Sequence, residues 1–379
     1  MVYRAIGLMS GSSLDGLDIA FVELQEQGGK WSYEILQADC YGYSDEWVNK
    51  LKNAVNLSAK EYQLLHADYG HYTGKQINKF IDEYQLHYKV AVIASHGHTT
   101  FHIPDKKMTA QLGEGAAIAA ETQLPVVTDL RALDIAFGGQ GAPIVPIGEK
   151  ILLGDYNFFL NLGGIANISF SPPSLKGEGG RGDEVIAFDI CPANRVLNML
   201  VNELGKEYDE GGQIAATGMV NEALLKKLNE LEYYKLPYPK SLANDFGTDF
   251  VYPIIKQSGI EIKDAARTFV EHIVIQVTNT IRNFKISKSQ NISLGDGDKL
   301  LATGGGAFNT FLIQQLTGSL KELNVEVIVP DKKLVNFKEA LIMAFIGVLR
   351  WRQEYNVLPS VTGASRASIG GALWTGQEA

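Results

Sequence analysis

Two widely separated stretches of this chain share one layout: an apolar run, a polar turn containing glycine, and a second apolar run. The first spans residues 7–22, its tight turn including Gly11-Ser12-Ser13-Leu14-Asp15-Gly16 and running on to Asp18. The second spans residues 158–170, with its turn at Gly163-Gly164. Two such hairpins facing each other would hold a phosphate chain from both sides, and no other feature restricts the fold as much. Glycine frees the backbone to approach a ligand and to adopt positive φ. Small hydroxyls and exposed N–H groups suit phosphate oxygens, and Asp15 and Asp18 can hold a water or a metal-bound water.

Strand-like and helix-like patterns alternate along the rest of the chain. Val90–Ser95, Leu124–Asp129, Phe158–Leu162, Val185–Ile190 and Leu300–Thr303 read as strands, the last running into Gly304-Gly305-Gly306. Glu114–Thr122 reads as a helix. Val196, Leu197, Leu200, Val201 and Leu204 mark a second helix that Gly205 ends, and Ala266 to Phe284 carry one apolar face of a longer helix. The expectation is an α/β protein with largely parallel sheets. The segment 171–183, rich in Pro, Gly and charge, is expected to be an exposed loop.

The length of 379 residues favours two domains. A net charge of −9 argues against nucleic acid as the main partner, yet it leaves room for a polyphosphate bound by N–H groups. Two distant cysteines, Cys40 and Cys191, fit a reducing cytosol. The longest uncharged apolar run, Ala340 to Leu349, is about half of what a membrane span needs. With no signal peptide evident, the expectation is a soluble, cytoplasmic protein. Neither a P-loop nor a GxGxxG after a strand is present: Gly70–Gln76 is one residue too short and lacks the Ser/Thr.

Several polar clusters are candidates for chemistry. Asp189, near the end of a strand, could be a general base in a crevice or a carboxylate capping the helix that follows, whose first turn suits Pro192. Ser95-His96-Gly97-His98-Thr99 follows a buried strand and reads as a polar loop lining a substrate pocket, with metal ligation by the two histidines as an alternative. Arg131 could clamp a carboxylate or pair with a nearby Asp such as Asp134. Glu339 opens the apolar helix Ala340–Arg350, a position that the helix dipole favours.

GLMSGSSLDGLDIA, SHGHTTFH, VVTDLRALDIAFGGQGAPIVP, NLGGIANIS, AFDICPAN, ATGGGAFNT and VTGA, in this order, resemble the anhydro-N-acetylmuramic acid kinase family. That family belongs to the sugar kinase, Hsp70 and actin superfamily. The resemblance implies an α/β fold of two ribonuclease-H-like (actin-like ATPase) domains around a central ATP cleft. It puts residues 1–148 with about 355–379 in the N-terminal domain, and 149–354 in a C-terminal domain with the second phosphate and adenosine segments. The implied activity uses ATP, Mg²⁺ and water to open 1,6-anhydro-N-acetylmuramic acid and phosphorylate O6, a step of cell-wall recycling. By resemblance Asp189 is the catalytic base, while Gly11, Ser12, Ser13, Asp15, Gly16, Asp18, Gly163, Gly164, Gly304, Gly305 and Gly306 bind nucleotide. His96, Gly97, His98, Thr99, Arg131 and Glu339 bind the sugar, and no protein metal site is assigned. Expected partners are the anhydrosugar alone, with neither nucleic acid nor membrane, and a homodimer if the chain self-associates. The family carries Thr where Ser12 stands, Gln for His98, Gly-Pro-Gly for Cys191-Pro192-Ala193 and Thr-Gly for Leu242-Ala243. A kinase of another sugar or acid, and a non-catalytic ATP-binding regulator, are the alternatives.

Overall fold

The structure, a computed structural model, describes residues 1–11, 13–170, 185–238, 240–243, 245–288 and 297–376. Ser12 and the expected loop 171–183 lie outside the described residues. The chain forms two compact units, one built from Met1–Gly154 with residues 337–376, the other from 155–170 with 186–336.

The first unit starts with an antiparallel meander of β1 (Val2–Ser10), β2 (Gly16–Gln27) and β3 (Lys30–Gly42). β4 (Val92–Ser95) joins β1 in parallel, and β5 (His98–Ile103) and β6 (Met108–Leu112) form a separate two-stranded ribbon. β7 (Val126–Thr128) runs parallel to β4. The second unit repeats the plan. Its meander is β8 (Phe158–Leu162), β9 (Ile165–Phe170) and β10 (Ile186–Pro192). β11 (Asp298–Thr303) and β12 (Val325–Ile328) extend it in parallel beside β8.

The spatial orders β3-β2-β1-β4-β7 and β10-β9-β8-β11-β12 are therefore the same. A meander extended from its first strand by two parallel strands is the ribonuclease-H-like arrangement, here present twice. β13 (Ala372–Trp374) adds an antiparallel edge next to β7. The sheets are mixed where largely parallel ones are expected, because the first three strands of each pair as antiparallel neighbours, with short turns joining β1 to β2, β2 to β3 and β8 to β9.

Each sheet buries its apolar residues under helices. Ile6, Leu8, Ile19, Phe21 and Ile93 pack with Ile77 and Phe80 of the helix Ala59–Glu83 and with Ile118 of the helix Gly115–Thr122. The first of these helices opens with a capping box between Ser58 and Glu61, which satisfies two N-terminal donors. In the second unit Phe269, Val270, Ile273, Val277 and Ile281, on one face of the helix Ile262–Lys288, are completely buried against the sheet.

The helix Lys332–Trp351 matters most for the site. It begins well before the expected Ala340, and it kinks at Phe337, where φ is −116° and ψ 15°. The change of unit falls at the same residue. Beyond the kink the helix lies so close to the first sheet that a Cβ on Gly7 would stand 1.9 Å from the Ala340 carbonyl oxygen. A Cβ on Gly347 would stand 2.5 Å from that of Ala94. Residues from 337 onward consequently pack with the first unit, whereas the expected boundary is near 355.

Among the described residues no helix is long and apolar enough to cross a membrane. Cys40 is exposed and Cys191 buried, both as free thiols.

Candidate active site

The candidate residues fall into two groups, one in each unit. In the first unit the turn after β1 is folded around Asp15. Its Oδ1 accepts hydrogen bonds from Ser13 Oγ at 2.6 Å and Gly16 N at 3.1 Å. Gly16 itself answers to packing, since a Cβ there would lie 2.6 Å from Cys40 Sγ and 2.8 Å from Tyr41 O. Asp18 is not in the turn but on β2, paired with Met9 on one side and Cys40 on the other.

Burial raises the Asp18 carboxyl to about 6, the Cys40 thiol lowers it by donating a hydrogen bond, and the charges of Asp15 and Glu339 raise it. Unfolded, the group ionises near 3.8. The folded state thus holds the proton more tightly, so stability falls as pH rises from about 4 to about 6. Asp18→Asn removes that loss. Urea titrations of the ligand-free variant should show a gain on the order of 2 kcal/mol at pH 7 and none at pH 3. Equal stabilities at pH 7 would contradict this environment for Asp18.

The segment expected as a polar loop is instead a tight bend into β5. Gly97, between β4 and β5, has φ +73°, and a Cβ there would lie 2.5 Å from Leu112 O, so only glycine fits. His96 is buried, and burial with the Arg131 charge lowers it to about 3. As a neutral ring it donates from Nδ1 to the Gly97 carbonyl at 2.9 Å and accepts at Nε2 from Arg131 Nε at 2.8 Å. His98, also held neutral by burial, faces Ser10 at the end of β1, with Nδ1 2.9 Å from Ser10 Oγ. Tyr43 donates to the same Ser10 oxygen at 2.8 Å and meets the Tyr69 hydroxyl in turn. Because Tyr43 spends its proton on Ser10, Tyr69 donates to Tyr43. Thr99 follows on β5 and is exposed. Both ring nitrogens of His96 are engaged by protein groups, so His96 offers none to the metal ion of the alternative reading. Among the described residues, no group of three or more His, Cys, Asp or Glu could hold a metal ion.

Arg131 N-caps the short helix Ala132–Ala136 and also donates to Gly141 O. Burial lowers it to about 10, so it stays cationic at neutral pH. The alternative pairing with Asp134 is not formed, because Asp134 accepts from Gly141 N and Thr362 Oγ1, each at 2.7 Å. Burial raises Glu339, while the neighbouring Lys338 and Arg131 cations lower it. It sits two residues past the kink, in the first turn of that half of the helix. Asp18, Arg131, His96 and Glu339 thus share one electrostatic neighbourhood. Behind it Lys338 Nζ and Glu149 Oε1 form a buried ion pair at 2.6 Å.

In the second unit two glycine-bearing segments meet at the start of a helix. The turn after β8 is tied to the start of the helix Asn194–Asn202: Ala193 N donates to Gly164 O at 2.8 Å, and Asn194 N to Gly163 O at 3.1 Å. Asn194 Nδ2 donates to Leu162 O at 2.8 Å. Gly304, at the end of β11, has φ +79°, and a Cβ there would lie 2.6 Å from Asn161 Oδ1. A Cβ on Gly306 would lie 2.7 Å from that of Leu162, and one on Gly305 3.6 Å from Asn194 Nδ2. Gly163, Gly164, Gly304, Gly305 and Gly306 therefore converge, with Asn161 and Asn194 between them. Neither asparagine is a candidate in the sequence reading.

Asp189 lies on β10 at a register shift between residues 189 and 191. It does not cap the following helix, whose N-cap is Ala193 and which starts at Asn194; Pro192 still belongs to the strand. Its Oδ2 accepts from Leu242 N at 2.9 Å and from Ser241 Oγ at 3.2 Å. Burial raises the carboxyl, and these two donors lower it. A partly buried carboxylate held by neutral donors, with no cation paired to it among the described residues, keeps its capacity to accept a proton.

Over residues 3–376 the sequence matches the family described as anhydro-N-acetylmuramic acid kinase. The chain belongs to that family. A relative from Francisella tularensis subsp. novicida, named anhydro-N-acetylmuramic acid kinase, is 32% identical over 96% of this chain and 97% of its own. Relatives of the same name from Synechococcus elongatus and Clostridioides difficile are 33% and 31% identical, covering 98% and 97% of this chain and 99% and 97% of their own. Among solved structures, an activator of the 2-hydroxyisocaproyl-CoA dehydratase from Clostridium difficile with bound ADPNP aligns with 92% of this chain and 96% of its own. The identity there is 13% and the TM-score 0.41.

As a member of the anhydro-N-acetylmuramic acid kinase family the chain is a phosphotransferase. Cys191 and Ala193 replace the family's glycines, and both side chains are fully buried in the core of the second unit. Leu242, standing where the family has Thr, supplies only its backbone N–H to Asp189, so the substitution leaves that contact in place.

Proposed function

We propose that this protein transfers the γ-phosphoryl group of ATP to 1,6-anhydro-N-acetylmuramic acid, opening the anhydro ring with water and giving N-acetylmuramic acid 6-phosphate and ADP. The observation that carries the reading is Asp189, a half-buried carboxylate held by two neutral donors in a chain of this family. Asp189 takes a proton from water as the water oxygen bonds to C1. The C1–O6 bond breaks, and O6, released as the leaving group, attacks the γ-phosphorus while the bond to the ADP oxygen breaks. Base assistance of this kind is worth about 10²–10⁴-fold, and the remainder comes from positioning and charge neutralisation.

The first unit is the N-terminal actin-like domain, with Gly11, Ser12, Ser13, Asp15, Gly16 and Asp18 toward the phosphates. The second supplies Gly163 and Gly164 to the phosphates and Gly304, Gly305 and Gly306 to the adenosine. Asp15 and Asp18 offer hard oxygen donors in one neighbourhood, the donor set that Mg²⁺ accepts when phosphate oxygens and waters complete its shell. Bound there, Mg²⁺ would neutralise phosphate charge. His96, Gly97, His98, Thr99, Arg131 and Glu339 bind the sugar, where the Arg131 cation can meet the carboxylate of its lactyl group. The reading places the enzyme in the cytoplasm, in cell-wall recycling, without nucleic-acid or membrane partners.

Incubation with Mg-ATP and the anhydrosugar should yield one 6-phosphorylated sugar per ADP. ADP formed only with a different sugar would favour another kinase specificity, and no sugar-dependent turnover would favour a non-catalytic ATP-binding role.

A further inference from the structure

Asp189 is gripped along its backbone as well as at its carboxylate, always by one short segment. Its N–H donates to Lys240 O at 3.1 Å, and its carbonyl accepts from the Tyr233 hydroxyl at 2.7 Å. Lys240 closes the loop on Tyr233, since its Nζ donates to the Tyr233 carbonyl at 3.0 Å and stands 4.5 Å from the Tyr233 ring centroid. The two residues after Lys240 deliver the donors to the carboxylate. The next residue back, Tyr234, is anchored separately. Its hydroxyl lies 2.9 Å from Nε2 of the fully buried His272, whose Nδ1 meets Asn229 Oδ1 at 2.7 Å.

β10 is the edge strand of its sheet, and the register shift leaves Ile190, next to Asp189, without a counterpart on β9. We infer that Tyr233 is a positioning residue for Asp189: its hydroxyl holds the Asp189 carbonyl and, with Lys240 and Ser241, sets the direction of the carboxylate. The inference rests on Asp189 being the base. A base must stand within hydrogen-bond reach of the water it activates, and a displacement of about 1 Å far from the bond being made costs up to 10²-fold.

Among the described residues, the titratable groups held against Asp189 are Tyr233 and Lys240, and Cys191 stands near both of these. Burial raises the tyrosine and the thiol, so both stay neutral, and the Lys240 ammonium is directed at a carbonyl. Asp189 is then the group that titrates. Tyr233→Phe deletes the hydroxyl and keeps the ring. It should lower kcat about 10-fold or more, with the KM for ATP unchanged and the melting temperature nearly so. As the carboxylate's donors loosen, its pKa rises, and the acid limb of kcat/KM for the sugar should move to higher pH. Ser241→Ala should move the limb the same way, and it carries the test if Tyr233→Phe does not fold. Rates and acid limbs like wild type in these variants, with Asp189→Asn inactive, would overturn the positioning role and leave the base in place. Sugar-dependent turnover in Asp189→Asn near the wild-type rate would overturn both.

Discussion

Asp189→Asn binds ATP as the parent does and loses its sugar-dependent turnover by about 10²–10⁴-fold. The amide is nearly isosteric with the carboxylate, so the contacts from Leu242 N and Ser241 Oγ can persist at its oxygen. It cannot accept a proton from water near neutral pH. The nucleotide-binding candidates of the second unit, around Gly164 and Gly304, are tied to Asn194 and Leu162 rather than to the Asp189 side chain. Nucleotide titration by calorimetry, set beside the steady-state rate, separates the two effects. A parallel fall in ATP affinity would mean that the residue shapes the nucleotide pocket.

Lys338→Met destabilises the fold by about 3–5 kcal/mol. Lys338 and Glu149 are each 5% exposed and 2.6 Å apart, with the lysine one residue from Glu339 in the helix that lies on β1 and β4. Removing the ammonium takes a 2.6 Å ion-pair partner from the buried Glu149 carboxylate, and the cost comes from the weaker compensation of that charge more than from the lost attraction. The double variant Lys338→Met, Glu149→Gln should therefore recover part of the loss. Urea unfolding of the three proteins is the check. A single variant within about 1 kcal/mol of the parent would show that the pair is solvated.

The duplicated hairpin was the strongest sign of the architecture in the sequence, and the matching strand orders of the two sheets follow it. Val92–Ser95, Phe158–Leu162 and Ile262–Lys288 were legible because they are buried on both faces or along one clear stripe. β3 was not, since this edge strand mixes charged and apolar residues along Lys30–Gly42 and leaves much of itself exposed. β5 was read as a loop for a similar reason: His98–Ile103 is rich in His and Thr and pairs only with β6.

At the site, single residue types were legible and partnerships were not. Asp189 stood out in sequence, but Lys240 and Ser241 carried no meaning there. Their relation to it depends on contacts across some 50 positions, which no local pattern records. Asp18 looked like part of the turn from its spacing, yet strand pairing turns it toward Cys40. His98 looked like a lining residue, and folding aims its Nδ1 at Ser10.

The most direct test of the proposed chemistry is turnover of the anhydrosugar with ATP in ¹⁸O-labelled water, quenched promptly and read by mass spectrometry of the product. If a water primed by Asp189 attacks C1, one heavy oxygen appears at C1 of the 6-phosphate, none enters the transferred phosphoryl group, and Asp189→Asn forms the labelled 6-phosphate about 10²–10⁴-fold more slowly. Heavy oxygen in the phosphoryl group, or a phosphorylated sugar without label at C1, would contradict the account.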